Sequence, residues 1–126
     1  MVKSLRIYVA GPYSAKTKAD HILTAHTVIQ EVARNVDKAI EIGLSLIEKG
    51  HYPFIPHLSH YIHTNHFCKK DYGYWYYEFD NTFLYNWAEA LYYISSSGGA
   101  DAELELAKKL GLQVFYNLDD VPEAKK

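Results

Sequence analysis

A glutamate occupies a position where helical spacing calls for an apolar side chain. In the stretch Ser95-Ser96-Ser97-Gly98-Gly99-Ala100-Asp101-Ala102-Glu103-Leu104-Glu105-Leu106-Ala107-Lys108-Lys109-Leu110-Gly111, a helix that begins near Gly99 puts Glu103 in its first turn or just after. Leu106, Ala107 and Leu110 then follow on the same face. Asp101 and Glu105 fall elsewhere on the wheel, with Glu105 over Lys108 and Lys109 as in a solvated helix pair. A carboxylate that heads a core-facing stripe, close to the positive end of a helix and behind a Ser/Gly-rich loop, has the setting of a nucleophile or general base. The plainer alternative for Glu103 is a capping carboxylate that looks outward.

Asp80 is a second carboxylate on an apolar face. In a helix read over Asp71 to Trp87 it shares its side with Tyr76, Tyr77, Phe83, Leu84 and Trp87, whereas Glu78 lines up with Asn81, Thr82 and Tyr85. Two acids that both leave the solvent side, one before and one after the same predicted strand, can converge at one edge of a sheet. Paired carboxylates are the usual equipment for breaking glycosidic bonds. The structural alternative is a buried Asp bound to a Tyr hydroxyl or a helix end.

The elements that would position these acids follow from periodicity. Leu5 to Ala10 is a short apolar run closed by Gly11-Pro12, a buried strand and then a turn. From about Thr27, the positions Val28, Val32, Val36, Ala39, Ile40, Gly43 and Ile47 keep helical spacing, and Gly50 stands where a helix C-cap would. Tyr52 to Pro56, Leu91 to Ile94 and Leu112 to Tyr116 read as three further strands. Strands that are apolar on both faces and alternate with helices predict an α/β fold, an open doubly wound, flavodoxin- or Rossmann-like parallel sheet with helices on both faces. The segment Asn117 to Lys126 reads as a turn and a short mobile tail.

Ligands of such sheets bind beyond the carboxyl ends of the strands. Three segments fall there: Gly11-Pro12-Tyr13-Ser14-Ala15-Lys16, Pro56-His57-Leu58-Ser59-His60, and Ser95 to Gly99. Their hydroxyls, glycine amides and a helix N-terminus make an anion site, most simply for phosphate, or else ordinary polar connections. No P-loop or GxGxxG fingerprint is present, which disfavours an NTPase or a dinucleotide enzyme.

Composition bounds the remaining readings. The chain has 126 residues, the size of one domain, spanning 1–126. A net charge of -2 argues against a protein that coats nucleic acid. A single cysteine, Cys68, leaves no internal disulfide, and the first apolar run is too short for a signal sequence or a membrane span. The expectation is a cytoplasmic protein with neither nucleic acid nor membrane as partner. His57, His60, His63 and His66 recur every third residue, but on an α-helix that spacing spreads them around the axis, so one shared metal is disfavoured. His57 reads as a pocket residue and the others as surface. Seven of the 12 tyrosines lie between Tyr72 and Tyr93, beside Trp75 and Trp87, and suit a subunit interface or a stacking wall for a base.

Several of these residues together resemble the nucleoside 2-deoxyribosyltransferase superfamily. They are Ile7-Tyr8-Val9-Ala10-Gly11-Pro12-Tyr13-Ser14, Asn35-Val36 with Ala39 and Gly43, Lys49 to His57, Asp80 with Leu84, and Ser97 with Gly99-Ala100 and Glu103. The likeness is to its small branch, which includes nucleoside 5'-monophosphate N-glycosidases, and it runs over nearly the whole chain. It implies a homodimer or larger homo-oligomer with sites near the interface, acting on a nucleoside or nucleotide without metal or organic cofactor. Glu103 would be the catalytic nucleophile that gives a covalent glycosyl-enzyme, and Asp80 would position the sugar or carry protons to the base. Gly11, Ser14 and Ser97 would hold a 5'-phosphate. Lys16 is added as a countercharge, and Tyr13, His57 and Gly99 as further binding residues. An ionised Glu103 is expected at neutral pH, its pKa lowered by the helix N-terminus. Two departures stand out. Where the family often has an Asp after a Cys, this chain has Trp87-Ala88-Glu89, so that role is lost or moves to Glu89. Lys16 and Lys18 replace an arginine of the phosphate loop. A non-catalytic nucleotide or nucleotide-sugar binding module is the rival within the same fold.

Overall fold

The computed structural model describes residues 2–14, 25–65, 69–71 and 73–125. Arg6–Ala10 forms β1, and its residues 7 to 10 are fully buried, as a strand covered on both faces must be. Helix α1, Ala25–Glu48, follows and ends at Gly50, whose φ of 93° is a conformation that suits glycine. A Cβ there would also lie 2.8 Å from that of Ala124. Strand β2 is Tyr52–Phe54, and Pro53 is tolerated because, among the described residues, β2 is an edge strand with no ladder partner on its far side. A 3₁₀ turn at Pro56–Leu58 leads into α2, Ser59–Asn65.

The helix expected over Asp71 to Trp87 is two things. Tyr74–Asp80 is a π-helical run, and Asn81–Asn86 is the α-helix α3. Trp75, Asp80 and Leu84 are the buried positions, spaced by five and then four residues, as a π turn followed by an α turn requires. Tyr77, which an α-helical wheel puts beside Asp80, is instead 68% exposed. Strand β3 is Ala90–Tyr93, α4 is Gly98–Lys109, and β4 is Gln113–Phe115.

The four strands form one parallel sheet in the order β2-β1-β3-β4. This is the doubly wound α/β architecture. Residues alternate along β1 between the two faces. Ile7 and Val9 pack with Ala39, Ile42 and Leu46 of α1, while Tyr8 and Ala10 pack with Leu84 of α3 and Ala100 and Ala107 of α4. The chain leaves β1 toward one edge over the α1 face and leaves β3 toward the other edge over the α4 face, as crossovers of one hand demand. A crevice therefore opens between the ends of β1 and β3, the switch point of the sheet.

Three expectations need correction. On α1 the buried residues near the C-terminus are Ile42, Gly43 and Leu46, and Ile47 is 54% exposed, because the stripe drifts around the axis over so long a helix. On α4, Leu110 is 39% exposed because it lies at the C-cap, beyond the last helical turn that meets the sheet. The last segment is docked rather than loose. Val121 and Ala124 are buried, Ala124 N–H donates to the Lys49 carbonyl at 2.8 Å, and Val2 bridges to Ala124. His51 locks the arrangement: Nδ1 accepts from Leu5 N–H at 3.0 Å, so Nε2–H donates to the Pro122 carbonyl at 2.7 Å. Among the described residues, no helix is long and apolar enough to cross a membrane.

Candidate active site

The crevice holds a cavity of about 310 Å³. The loop after β1 contributes Gly11, Tyr13 and Ser14, the turn after β2 contributes Pro56, His57 and His60, and the start of α4 contributes Ser97, Gly98, Gly99 and Ala100. Tyr76, Asp80 and Glu103 complete the wall. Every proposed site residue that is described is thus brought to one place. Lys16, and with it Lys18, lies outside the described residues.

Glu103 is 6% exposed, facing inward along with Ala100 and Ala107. The hydroxyl of Tyr8 donates to its Oε2 from the middle of the sheet. Burial pushes the Glu103 carboxyl up to about 8, with the negative charge of Asp80 adding to the effect and the Tyr8 hydrogen bond opposing it. The expected lowering by the helix N-terminus does not prevail. The helix starts at Gly98, so Glu103 sits in the second turn, beyond the reach of the terminal dipole, and desolvation wins. Tyr8 itself is held far above the usual phenol range, by burial first and by the Glu103 charge second, so it remains a donor.

Asp80 is 1% exposed at the junction of the π run and α3. Its Oδ1 lies 2.8 Å from the Ser59 hydroxyl. Burial raises it to about 7, against the hydrogen bond from Ser59. Two carboxyl groups that change charge close to neutrality therefore share one pocket.

The start of α4 offers donors. Ser97 is the N-cap, and its Oγ accepts from Ala100 N–H at 3.1 Å, which leaves its own proton free to donate. Gly98 and Gly99 supply the first two amides of the helix, which have no intrahelical acceptor. A Cβ on Gly99 would come within 3.1 Å of the Tyr76 hydroxyl, which donates to the Gly99 carbonyl at 3.1 Å and ties the π run to α4. Asn35 of α1 fixes the opposite wall by donating to the carbonyl of Tyr13 at 3.0 Å. Tyr13 stacks on His60 with ring centres 3.9 Å apart. His57 Nε2–H donates to the Pro12 carbonyl at 2.9 Å, and burial holds its pKa below the ordinary value, so it serves as a neutral ring.

No protein-family model, curated protein or solved structure matches this chain.

Four contributors lie outside the residues that the sequence singles out for a role: Tyr8 in a strand, Ser59 within the candidate ligand segment after β2, His60 among the histidines expected at the surface, and Tyr76 on an aromatic face. Tyr8 carried a usable signal, a hydroxyl inside a run that is otherwise apolar where strand alternation points it with Ala10. His60 was expected at the surface and is 6% exposed, because α2 turns it inward beneath Tyr13. Glu89 does not replace a site acid. It lies just before β3, at the opposite edge of the sheet, pairing with Lys3 at 2.7 Å and Arg6 at 3.7 Å. Among the described residues no group of three His, Cys, Asp or Glu could hold a metal, and His66 lies outside them.

Proposed function

We propose that this protein cleaves or transfers the N-glycosidic bond of a nucleoside or nucleoside 5'-monophosphate. The observation that carries the reading is the convergence of two buried carboxyl groups, Glu103 and Asp80, on one cavity that is also edged by the open N-terminus of α4. Displacement at the anomeric carbon passes through an oxocarbenium-like state, which an adjacent carboxylate stabilises before bonding to it. Glu103 supplies that carboxylate in the fraction of molecules in which it is ionised while Asp80 holds the proton. The C1'–N bond breaks as the ester to Glu103 forms, and Asp80 gives its proton to the departing base. Water then attacks C1', releasing Glu103 and returning a proton to Asp80, whereas attack by a second base makes the overall reaction a transfer.

A 5'-phosphate suits the amides of Gly98 and Gly99 and the hydroxyls of Ser97 and Ser14, with Lys16 as countercharge. The chain works as a cytoplasmic homodimer or larger assembly, for which the exposed Tyr61, Ile62, Tyr77 and Tyr85 near the π run are the contact candidates.

The test is release of free base from a panel of ribo- and deoxyribonucleosides and their 5'-monophosphates. Release by the wild type that Glu103→Ala abolishes supports the reading and names the substrate. Absence of release from all members, with ligand binding unchanged by the substitution, transfers the pocket to a non-catalytic nucleotide-binding role.

A further inference from the structure

Ser59 has one hydroxyl proton and two acceptors. Its Oγ lies 2.7 Å from the Pro56 carbonyl oxygen and 2.8 Å from Asp80 Oδ1, in a buried pair of side chains. A hydroxyl donates once and accepts twice, so the two contacts are alternatives for its proton. When Asp80 is ionised, Ser59 donates to it. When Asp80 is protonated, the acid donates to Ser59 Oγ and Ser59 donates to Pro56. The Pro56 carbonyl loses nothing essential in the exchange, because the Ser59 backbone N–H also donates to it. Glu103 is partnered differently. Tyr8 shows no second acceptor among the described residues, so its hydroxyl stays on Glu103 Oε2 in either charge state.

We infer that Ser59 is a positioning residue that keeps Asp80 hydrogen-bonded in both of its charge states and holds the charged state the more tightly, so that Asp80 gives up its proton to the leaving base more readily. The reaction this serves rests on the glycosidic reading, but the effect on Asp80 does not. Across one turnover the proton leaves Asp80 for the base nitrogen, the Ser59 hydroxyl swings from Pro56 to Asp80, and the water that attacks C1' restores the proton. The groups around Asp80 contain one other acid, Glu103 of α4, and the polar rings of Tyr8, His57, His60 and Tyr76. No lysine or arginine lines the described cavity.

The experiment is a carboxyl-carbon NMR titration of the full chain without ligand, comparing wild type, Ser59→Ala and Ser59→Thr. Removing a hydrogen bond to a charged acceptor should move the Asp80 midpoint up by about one unit in Ser59→Ala, and Ser59→Thr should restore it. In the base-release assay the limb near 7, which follows Asp80, should shift upward with it. An unmoved Asp80 midpoint in folded Ser59→Ala overturns the inference. Should that variant not fold, Ser59→Cys, a weaker donor, must show an upward shift of intermediate size, and no shift there overturns it equally. A shifted midpoint in a protein that releases no base upholds the Ser59 assignment and removes the glycosidic reading.

Discussion

Tyr8 and Glu103 stand 95 residues apart in the chain and share a buried hydrogen bond, the phenol donating to Oε2. The bond joins the central strand β1 to helix α4 at the floor of the cavity. It is the interaction that opposes the effect of burial on Glu103. Replacing Tyr8 by Phe leaves a buried acceptor unpaired, at a cost of about 1–3 kcal/mol in stability. The Glu103 midpoint should rise further above 8, and the limb of base release near 8 should move with it. Denaturant unfolding and a pH profile measure the two effects separately.

Loss of either carboxyl should abolish turnover to different degrees. Glu103→Gln removes the proposed nucleophile and should lower the rate by at least about 1,000-fold. Asp80→Asn removes the proposed proton source and should cost about 100- to 10,000-fold. Substrates whose leaving group needs no proton should recover much of the loss in Asp80→Asn and none in Glu103→Gln. In the wild type, base release should be bell-shaped in pH, with limbs near 7 and 8 that belong to the coupled pair.

The same acids should destabilise the fold as pH rises. Each has a folded pKa above its ordinary value of 3.8 or 4.5. The folded state therefore binds protons more tightly than the unfolded chain, and stability falls with pH between those values and about 7 to 8. Asp80→Asn should be more stable than wild type at alkaline pH by on the order of a few kcal/mol, an advantage that vanishes below both ordinary values. Unfolding curves at the two ends of the range decide it. Equal stability differences at both ends would contradict the burial of the charge.

Asn35→Ala should loosen the wall opposite α4, since its side chain holds the Tyr13 carbonyl. Tyr13 and Ser14 would then be less well placed in the empty protein, and ligand binding would have to order them. A rise of about 10-fold in KM with little change in kcat is expected, because a lost hydrogen bond is worth about 0.5–1.5 kcal/mol.

Gly50→Ala should harm stability and spare the site. The positive φ and the 2.8 Å approach to Ala124 together leave no room for a Cβ. A loss of about 1 kcal/mol or more is expected in thermal unfolding, with base release per folded molecule unchanged.

Much of the fold was legible because buried parallel strands must be apolar on both faces, as Ile7 to Ala10 and Ala90 to Tyr92 are. Asp80 and Glu103 were legible for the opposite reason, as acids at positions where periodicity demands an apolar group. Their protonation was not legible. Glu103 is governed by how much water the folded sheet excludes, a tertiary quantity that wheel position does not contain. The docking of Val121 and Ala124 was hidden for a related cause. Small or isolated apolar residues in a polar segment bury only against a partner, here the end of α1 and the first residues of the chain. The phase of Tyr77 was hidden too, since residue type does not announce a π turn.

That π turn makes the pocket sensitive to chain length as well as to side-chain identity. A run bonded from each residue to the fifth beyond it holds one residue more per turn than an α-helix needs. Excising Glu78, which points to solvent, would let the segment close as an ordinary helix while Asp80 and α3 stay against the sheet. Everything upstream would then advance by one position, and Tyr76 would leave the Gly99 carbonyl. A single deletion on the outer surface would thus redraw the inner wall, a route for remodelling the cavity without substituting any residue that lines it.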